Sequence, residues 1–388
     1  MNKRVLYINS VCGFGSTGRI VADLARIEDF DTLVCYGRKK NSTDVNAYKF
    51  TNAIDNATSA FKTIFFDSSL DTCNIATQRL IKKIYEFHPD IIHLHNLHGY
   101  YVNIERLFKF LREYNKPVVW TLHDCWPITG YCPFFDYTEC RRYKEECKEC
   151  PQGITYPYSL FKQNVKEEYY KKKELFNSLS KLTIVCPSYW LDSIVRNSFL
   201  SDVPRVVINN GIDLSEFKPT KDKTFNFSVL AVANYWTKEK GKDELNRIIP
   251  LLDKDIQVTV VGAGSRAIRG CFPIRRTDSK SQLADLYSKS HILLSPTLQD
   301  NFPTVNIEAL ACGTPVITYK TGGGPEILDT RSGVVIERHN IGEMAETINK
   351  MKKNYRFILD ECVNRSKLFS KEVMQENYRR LYESLLAK

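Results

Sequence analysis

Short apolar runs, many of them rich in Val and Ile, alternate with stretches of helical period from one end of the chain to the other. The runs at 4–10, 32–36, 90–95, 117–122, 182–186 and 205–209 predict strands in the first half, and those at 227–233, 256–261, 291–295, 315–319 and 333–336 predict them in the second. Their hydrophobicity is nearly continuous, as a strand covered on both faces requires, and such strands separated by helices predict parallel sheets. Two sets of them predict an α/β chain of two doubly wound, Rossmann-like domains. The stretch 209–219 has turn chemistry (Asn209, Asn210, Gly211, Asp213, Pro219) and no helical period, which predicts domains over 1–218 and 219–371. The segment 125–157 is irregular and rich in Cys, Tyr and Pro, and an excursion of that length is more often functional than idle. The last stretch, 372–386, is amphipathic, with Val373, Tyr378, Leu381, Tyr382 and Leu385 largely on one face.

Composition narrows the class. Of 388 residues, 43% are hydrophobic and 26% charged, enough to bury a large core. No apolar run approaches the ~20 residues that span a bilayer. The basic, then apolar, start ends at Asn9 and Ser10, too early for a secretory signal. The 12 cysteines are therefore expected to be reduced, and the chain to be soluble and cytoplasmic. Lys and Arg total 55 against 45 Asp and Glu, a net charge of +10 spread evenly over both halves. That distribution excludes the concentrated basic face of a nucleic-acid binder and suits anionic substrates or anionic lipid.

The first strand runs into Gly13-Phe14-Gly15-Ser16-Thr17-Gly18 and then a helix, a turn that lets backbone N–H groups approach a phosphate or sugar. A dinucleotide fingerprint would also want an acid after the second strand, where Arg38-Lys39-Lys40 stand instead. Those cations could hold the 2′-phosphate of NADP, which leaves an NADP-dependent oxidoreductase as one alternative and a tight turn without ligand as another. His123-Asp124 closes one strand at its carboxyl edge, and His93, His95 and His98 gather at another, as structural residues or as ligand contacts. In the second half, Asn234 and Lys240-Gly241 follow the first strand, placing a lysine to neutralise a diphosphate at a helix start. Asp300 lies in a loop after a strand, with Glu308 in the next helix; two carboxylates so spaced can each accept hydrogen bonds from sugar hydroxyls. Thr321-Gly322-Gly323-Gly324-Pro325-Glu326 is a further backbone-donor loop. Asp29-Phe30-Asp31 and Asp253-Lys254-Asp255 precede strands, at the wrong sheet edge for a metal-binding acid pair.

Cys132, Cys140, Cys147 and Cys150 form C-x7-C-x6-C-x2-C within the irregular excursion, a set that could hold a structural zinc or remain reduced thiols. Lys162, Lys166, Lys171, Lys172 and Lys173 interleave with aromatic and apolar residues. This reads as a solvated basic face, or as a helix facing anionic lipid at the inner membrane.

Taken in order, the glycine loop, Thr121-Leu122-His123-Asp124, Pro187-Ser188, Asn210-Gly211-Ile212-Asp213, Lys240-Gly241, the Asp300/Glu308 spacing and the Gly322–Glu326 loop resemble the retaining nucleotide-sugar glycosyltransferases of family four. The likeness is strongest to the bacterial branch that makes exopolysaccharide and O-antigen (lipopolysaccharide, capsule). The resemblance implies the GT-B fold, two Rossmann-like domains facing across a cleft, with the final helix (372–388) packing back on the first. It implies transfer of a hexose-type sugar from a UDP- or GDP-linked donor to a saccharide or polyprenyl-linked acceptor, with no cofactor needed for catalysis and no nucleic-acid partner. Glu308 matches the acid that holds the donor ribose, and Asp300 the acid at the transferred sugar, with the Asn301 and Phe302 N–H groups beside it. Lys240 matches the diphosphate lysine, His123 the histidine near the reacting sugar, and Gly15 and Ser16 the loop near the donor phosphates. Two departures stand out: Asp300 is a methylene shorter than the usual Glu, and Asn234-Tyr235 occupy the place of a common arginine, for which Lys238 or an Arg of 265–276 could compensate. A sugar-nucleotide binder without transferase activity is a third reading.

Overall fold

The computed structural model describes residues 2–387 except 42, 67–69 and 153–163. The chain contacts divide it into two units, Met1–Asn209 with Gln375–Lys388, and Asn210–Met374. In the first unit lie β1 (Lys3–Asn9), α1 (Gly15–Leu24), β2 (Phe30–Tyr36), β3 (Ala47–Lys49), α2 (Ala53–Phe66), α3 (Asn74–Phe87), β4 (Ile91–Leu94), α4 (Ile104–Tyr114), β5 (Val118–Thr121), α5 (Val165–Asn177), β6 (Leu182–Cys186), α6 (Tyr189–Arg196) and β7 (Arg205–Val207). The second holds β8 (Ser228–Tyr235), α7 (Lys242–Ile248), β9 (Gln257–Ala263), β10 (Phe272–Ile274), α8 (Lys280–Lys289), β11 (Ile292–Ser295), α9 (Thr304–Ala311), β12 (Val316–Tyr319), β13 (Gly333–Ile336), α10 (Ile341–Lys353) and α11 (Leu359–Ser366). The final helix α12 (Lys371–Leu386) begins in the second unit and ends in the first.

Both sheets are parallel throughout, ordered β3-β2-β1-β4-β5-β6-β7 and β10-β9-β8-β11-β12-β13. The strand order reverses at β1/β4 in one and at β8/β11 in the other, and open α/β sheets take ligands at the carboxyl edge of such a reversal. The apolar runs become strands, edge ones in β7 and β13 and inner ones elsewhere, fully buried in β4, β5, β6, β11 and β12. Strands β3 and β10 lie outside the predicted runs: each is a three-residue edge strand, partly exposed, too short to show a long apolar run.

The buried face of α12 is headed by Met374, followed by Tyr378 and Tyr382, whereas Val373 is 42% exposed, one position off the expected stripe. The excursion after β5 carries its own apolar anchors, since Trp126, Ile128, Tyr131, Phe135 and Tyr143 are all buried in the first unit's core.

Candidate active site

At the second reversal, β8 ends in exposed Asn234 and Tyr235, and Trp236 turns back to donate its N–H to the Ala263 carbonyl. Gly241 caps α7 with φ of +83° and lies so close to the Pro296 carbonyl that a Cβ would sit 2.2 Å from that oxygen. Glycine is therefore required for the loop after β8 to lie against the loop after β11. The Leu298 N–H closes the contact on the Glu239 carbonyl at 2.8 Å. Lys240, carried by this turn, donates from Nζ to Oδ2 of Asp300 at 2.5 Å. The loop after β12 is pressed on the same place: Gly322, with φ of +55°, faces the Asp300 carbonyl where a Cβ would clash at 1.6 Å, and the Gly323 N–H donates to the Asn301 carbonyl. Lys240, Asp300, Asn301 and the Gly322–Gly323 turn thus share one edge. Helix α9 starts three residues after Asn301, behind Pro303, with no side-chain cap and no acid in its first turn, so its positive end is open to an anion. Glu308, buried on α9, accepts from the Tyr287 hydroxyl of α8 at 3.0 Å. Phe302 packs its ring into the core against Phe369. Sequence reasoning missed Tyr287, a buried aromatic that shares α8 with Leu283, Ala284 and Leu286 and so reads as ordinary core.

At the first reversal, the glycine loop ends on α1, whose N-terminus at Gly15 and Ser16 has neither side-chain cap nor acidic first turn. Gly18 packs under the loop, its carbonyl accepting from the Gly13 N–H. The strap 38–41 holds the loop from outside, through Arg38 N–H to the Ser10 carbonyl and Cys12 N–H to the Lys39 carbonyl.

Beside it, His123 at the end of β5 places Nε2 2.9 Å from Nδ1 of His95 at the end of β4. Burial pulls His123 down to about 4 and His95 well below the ordinary imidazole range, so both rings are neutral near pH 7. His98 Nε2 lies 2.7 Å from Asp124, whose other oxygen accepts from the Trp126 N–H. Burial alone would raise the Asp124 carboxyl, but His98 and the Trp126 N–H outweigh it and hold it low. His93 is held by side chains: Nδ1 by Tyr382 and Nε2 by Thr121, with Tyr378 on Thr121.

Two family models match the chain, one described as Glycosyltransferase Family 4 over residues 39–216 and one as Glycosyl transferases group 1 over residues 226–354. A putative colanic acid biosynthesis glycosyl transferase of Escherichia coli (strain K12) is 26% identical over 76% of this chain and 77% of its own length. The chain is a glycosyltransferase of the family 4/group 1 type. Among solved structures, sucrose-phosphate synthase of Thermosynechococcus elongatus matches with a TM-score of 0.72 over all of both chains at 16% identity. Anabaena HepE in complex with UDP matches at 0.68 over 98% of this chain and 100% of its own, at 14% identity. The fold is that of the GT-B glycosyltransferases. Family membership sets aside the oxidoreductase reading of the glycine loop.

Two expectations are corrected. Among the described residues no group of three or more His, Cys, Asp or Glu could hold a metal ion, so the zinc suggested for Cys132, Cys140, Cys147 and Cys150 finds no support. Cys132 and Cys147 are buried in the core with Cys140 and Cys150 packed against it, and burial pushes the Cys132 thiol up to about 12 and that of Cys147 up to about 11. They behave as small apolar side chains.

Of the lysine run, Lys162 lies outside the described residues, and Lys166, Lys171 and Lys173 are exposed on α5. Lys172 points inward instead. Its Nζ donates to the carbonyls of Trp126, Thr129 and Gly130, each at 3.0 Å, and stands 3.7 Å over the Trp126 ring. It ties the excursion to α5. Among the described residues no helix is long and apolar enough to cross a membrane.

Ser188 caps α6, its Oγ accepting from the Leu191 N–H. Asp253 and Asp255, at the amino edge of β9, pair with Lys352. Lys238, Arg266, Arg269, Arg275 and Arg276 are exposed.

Proposed function

We propose that the protein is a retaining glycosyltransferase that moves a hexose-type sugar from a nucleoside-diphosphate donor to a surface polysaccharide or its lipid-linked precursor. The observation that carries the reading is the Lys240–Asp300 pair at the second sheet reversal, with buried Glu308 following on α9. The side chains of the pair are 40% and 22% exposed, so it is worth at most about 1 kcal/mol. A diphosphate offers Lys240 a charge-assisted partner that exceeds this.

Breaking the bond from the anomeric carbon to the diphosphate puts negative charge on the leaving group, which Lys240 and the uncapped start of α9 stabilise. Asp300, relieved of Lys240, accepts from hydroxyls of the transferred sugar beside the Asn301 and Phe302 N–H groups. Glu308, oriented by Tyr287, holds the ribose. Asn234 borders the nucleotide, the start of α1 at Gly15 and Ser16 suits a phosphate, and His123 contacts the reacting sugar. The acceptor hydroxyl attacks the face the diphosphate leaves. Its oxygen bonds to the anomeric carbon while its proton passes to the departing phosphate oxygen, so configuration is retained. A UDP-linked donor is favoured by the solved complexes of the fold relative HepE with UDP and with UDP-glucose. An exopolysaccharide acceptor is favoured by the colanic acid relative, and a lipid-linked form of it would bring the protein to the cytoplasmic face of the membrane.

Calorimetric titration with UDP, GDP and NADP, using the native chain and Lys240→Ala side by side, tests the donor site. The expected result is micromolar binding of one diphosphate, weakened by about 1.5–3 kcal/mol in the variant. Turnover of the matching sugar nucleotide then separates a transferase from a binder. Binding of NADP alone would overturn the reading.

A further inference from the structure

His95 is fully buried beside His123 and has no place in the transfer just described. Its Nδ1 meets Nε2 of His123 at 2.9 Å, while its own Nε2 is buried with no hydrogen-bond partner among the described residues. Between two neutral imidazoles one nitrogen must donate and the other accept. If His123 donated from Nε2, His95 would carry its proton on Nε2 and bury an N–H with no acceptor. If His95 donates from Nδ1, the partnerless atom is only a lone pair, and buried unpaired N–H groups are the rarer and costlier of the two.

The neighbouring ring cannot relieve His95, because both nitrogens of His93 are already engaged. The Tyr7 hydroxyl donates to the Leu24 carbonyl, and Tyr382 donates towards Tyr7. His93 must then donate from Nδ1 to Tyr382 and accept at Nε2 from Thr121, which accepts from Tyr378. Every hydrogen of that chain has a destination. The ring of His93 lies 4.1 Å from that of His95, centroid to centroid, and fixes its plane.

We infer that His95 is a positioning residue that keeps the proton of His123 on Nδ1, so that His123 meets its ligand as a hydrogen-bond donor and not as a base. The lone pair of His123 faces His95, and the nitrogen left to the partly exposed side already bears hydrogen. The group recognised there is an oxygen acceptor: a hydroxyl oxygen, a phosphate or a carboxylate. The acceptor proton in the transfer consequently goes to the leaving phosphate, since His123 has no free site for it. This role in transfer rests on the reading of His123 given above; the tautomer itself does not.

The full chain, labelled with ¹⁵N-histidine, reports the tautomer directly through long-range ¹H–¹⁵N correlations, because protonated and bare ring nitrogens are distinct. The native protein and His95→Asn, whose side-chain amide superposes a donor on the imidazole Nδ1, are expected to hold His123 as Nδ1–H. His95→Leu is expected to release it to a mixture of tautomers and to raise its pKa from about 4, since the lost donor opposed protonation at Nε2. With UDP-glucose as the probe, turnover is expected to fall about tenfold in His95→Leu and to be largely kept in His95→Asn. An Nε2–H tautomer in the native protein, or a His95→Leu variant with the tautomer of His123 unchanged, would overturn the inference. Native turnover in His123→Ala, with the spectra as expected, would instead remove His123 from the sugar site and leave the tautomer standing.

Discussion

At the β1/β4 edge the polar groups are mostly buried neutral imidazoles and hydroxyls, with one carboxylate, Asp124, tied to His98, whereas at the β8/β11 edge they are a lysine and two carboxylates, the first two partly open to solvent. Each edge sits where a parallel sheet reverses its strand order, so architecture does not explain the contrast. Burial does. Desolvation holds His93, His95 and His123 uncharged, which turns them into directional donors and acceptors. Lys240 and Asp300, less buried, keep charges that a ligand can exchange. A lysine placed in each environment makes the same point: Lys172 is spent on three carbonyls inside the first unit, while Lys240 has one carboxylate and room for another anion.

The largest expected effect is at Lys172. Lys172→Met removes a buried charged donor shared by three carbonyls, together with the cation beside buried Glu168, and should lower stability by about 3–5 kcal/mol in urea melts. The matching Lys240→Ala change should alter stability by less than about 0.5 kcal/mol. Equal losses would erase the distinction between the two environments.

Acid should act next, and on the first edge. Histidines whose folded pKa lies below the unfolded value contribute stability that is complete above pH ~6.5. It is lost as pH falls towards their folded values, about 4 for His123, because the unfolded chain binds the protons first. Stability should fall by roughly 1.4 kcal/mol per pH unit for each such histidine between pH ~6 and ~4, a slope that His123→Asn should reduce. A flat profile across that window would mean the rings are open to water. Tyr382→Phe is expected to cost about 1–3 kcal/mol of stability, because it leaves the Nδ1–H of His93 without its acceptor while the bond to Thr121 remains.

At the second edge, Tyr287→Phe should leave the fold intact and weaken UDP binding by about 1 kcal/mol, since it removes the hydroxyl that orients Glu308. Unchanged affinity would detach Glu308 from the nucleotide.

Much of this was legible beforehand. Buried parallel strands need nearly continuous apolar runs, so the central strands could be located from residue order alone, while β3 and β10, at the edges, were too short to show a long run. Lys240 and Asp300 were legible because each stands in a loop between a strand end and a helix start, and Glu308 because of its spacing from Asp300 within the next helix. Their mutual arrangement was not. The 2.5 Å contact of Lys240 with Asp300 depends on Gly241 and Gly322 bringing three loops together, and no local pattern announces it. The lysine run of α5 misled for the same reason. Helical period places Lys172 among its neighbours on α5, but only the excursion folded over that helix decides that this one lysine points inward.

The amino-acid order by itself determined the α/β class, the two parallel sheets and the loops at which chemistry could sit, because periodicity and turn residues are local properties of the chain. Only the tertiary structure decided which charges are paired, which cysteines are apolar filling and which histidines are neutral. Those properties are set by water exclusion and by partners distant in sequence, as when Tyr378 and Tyr382 of the last helix fix the ring of His93.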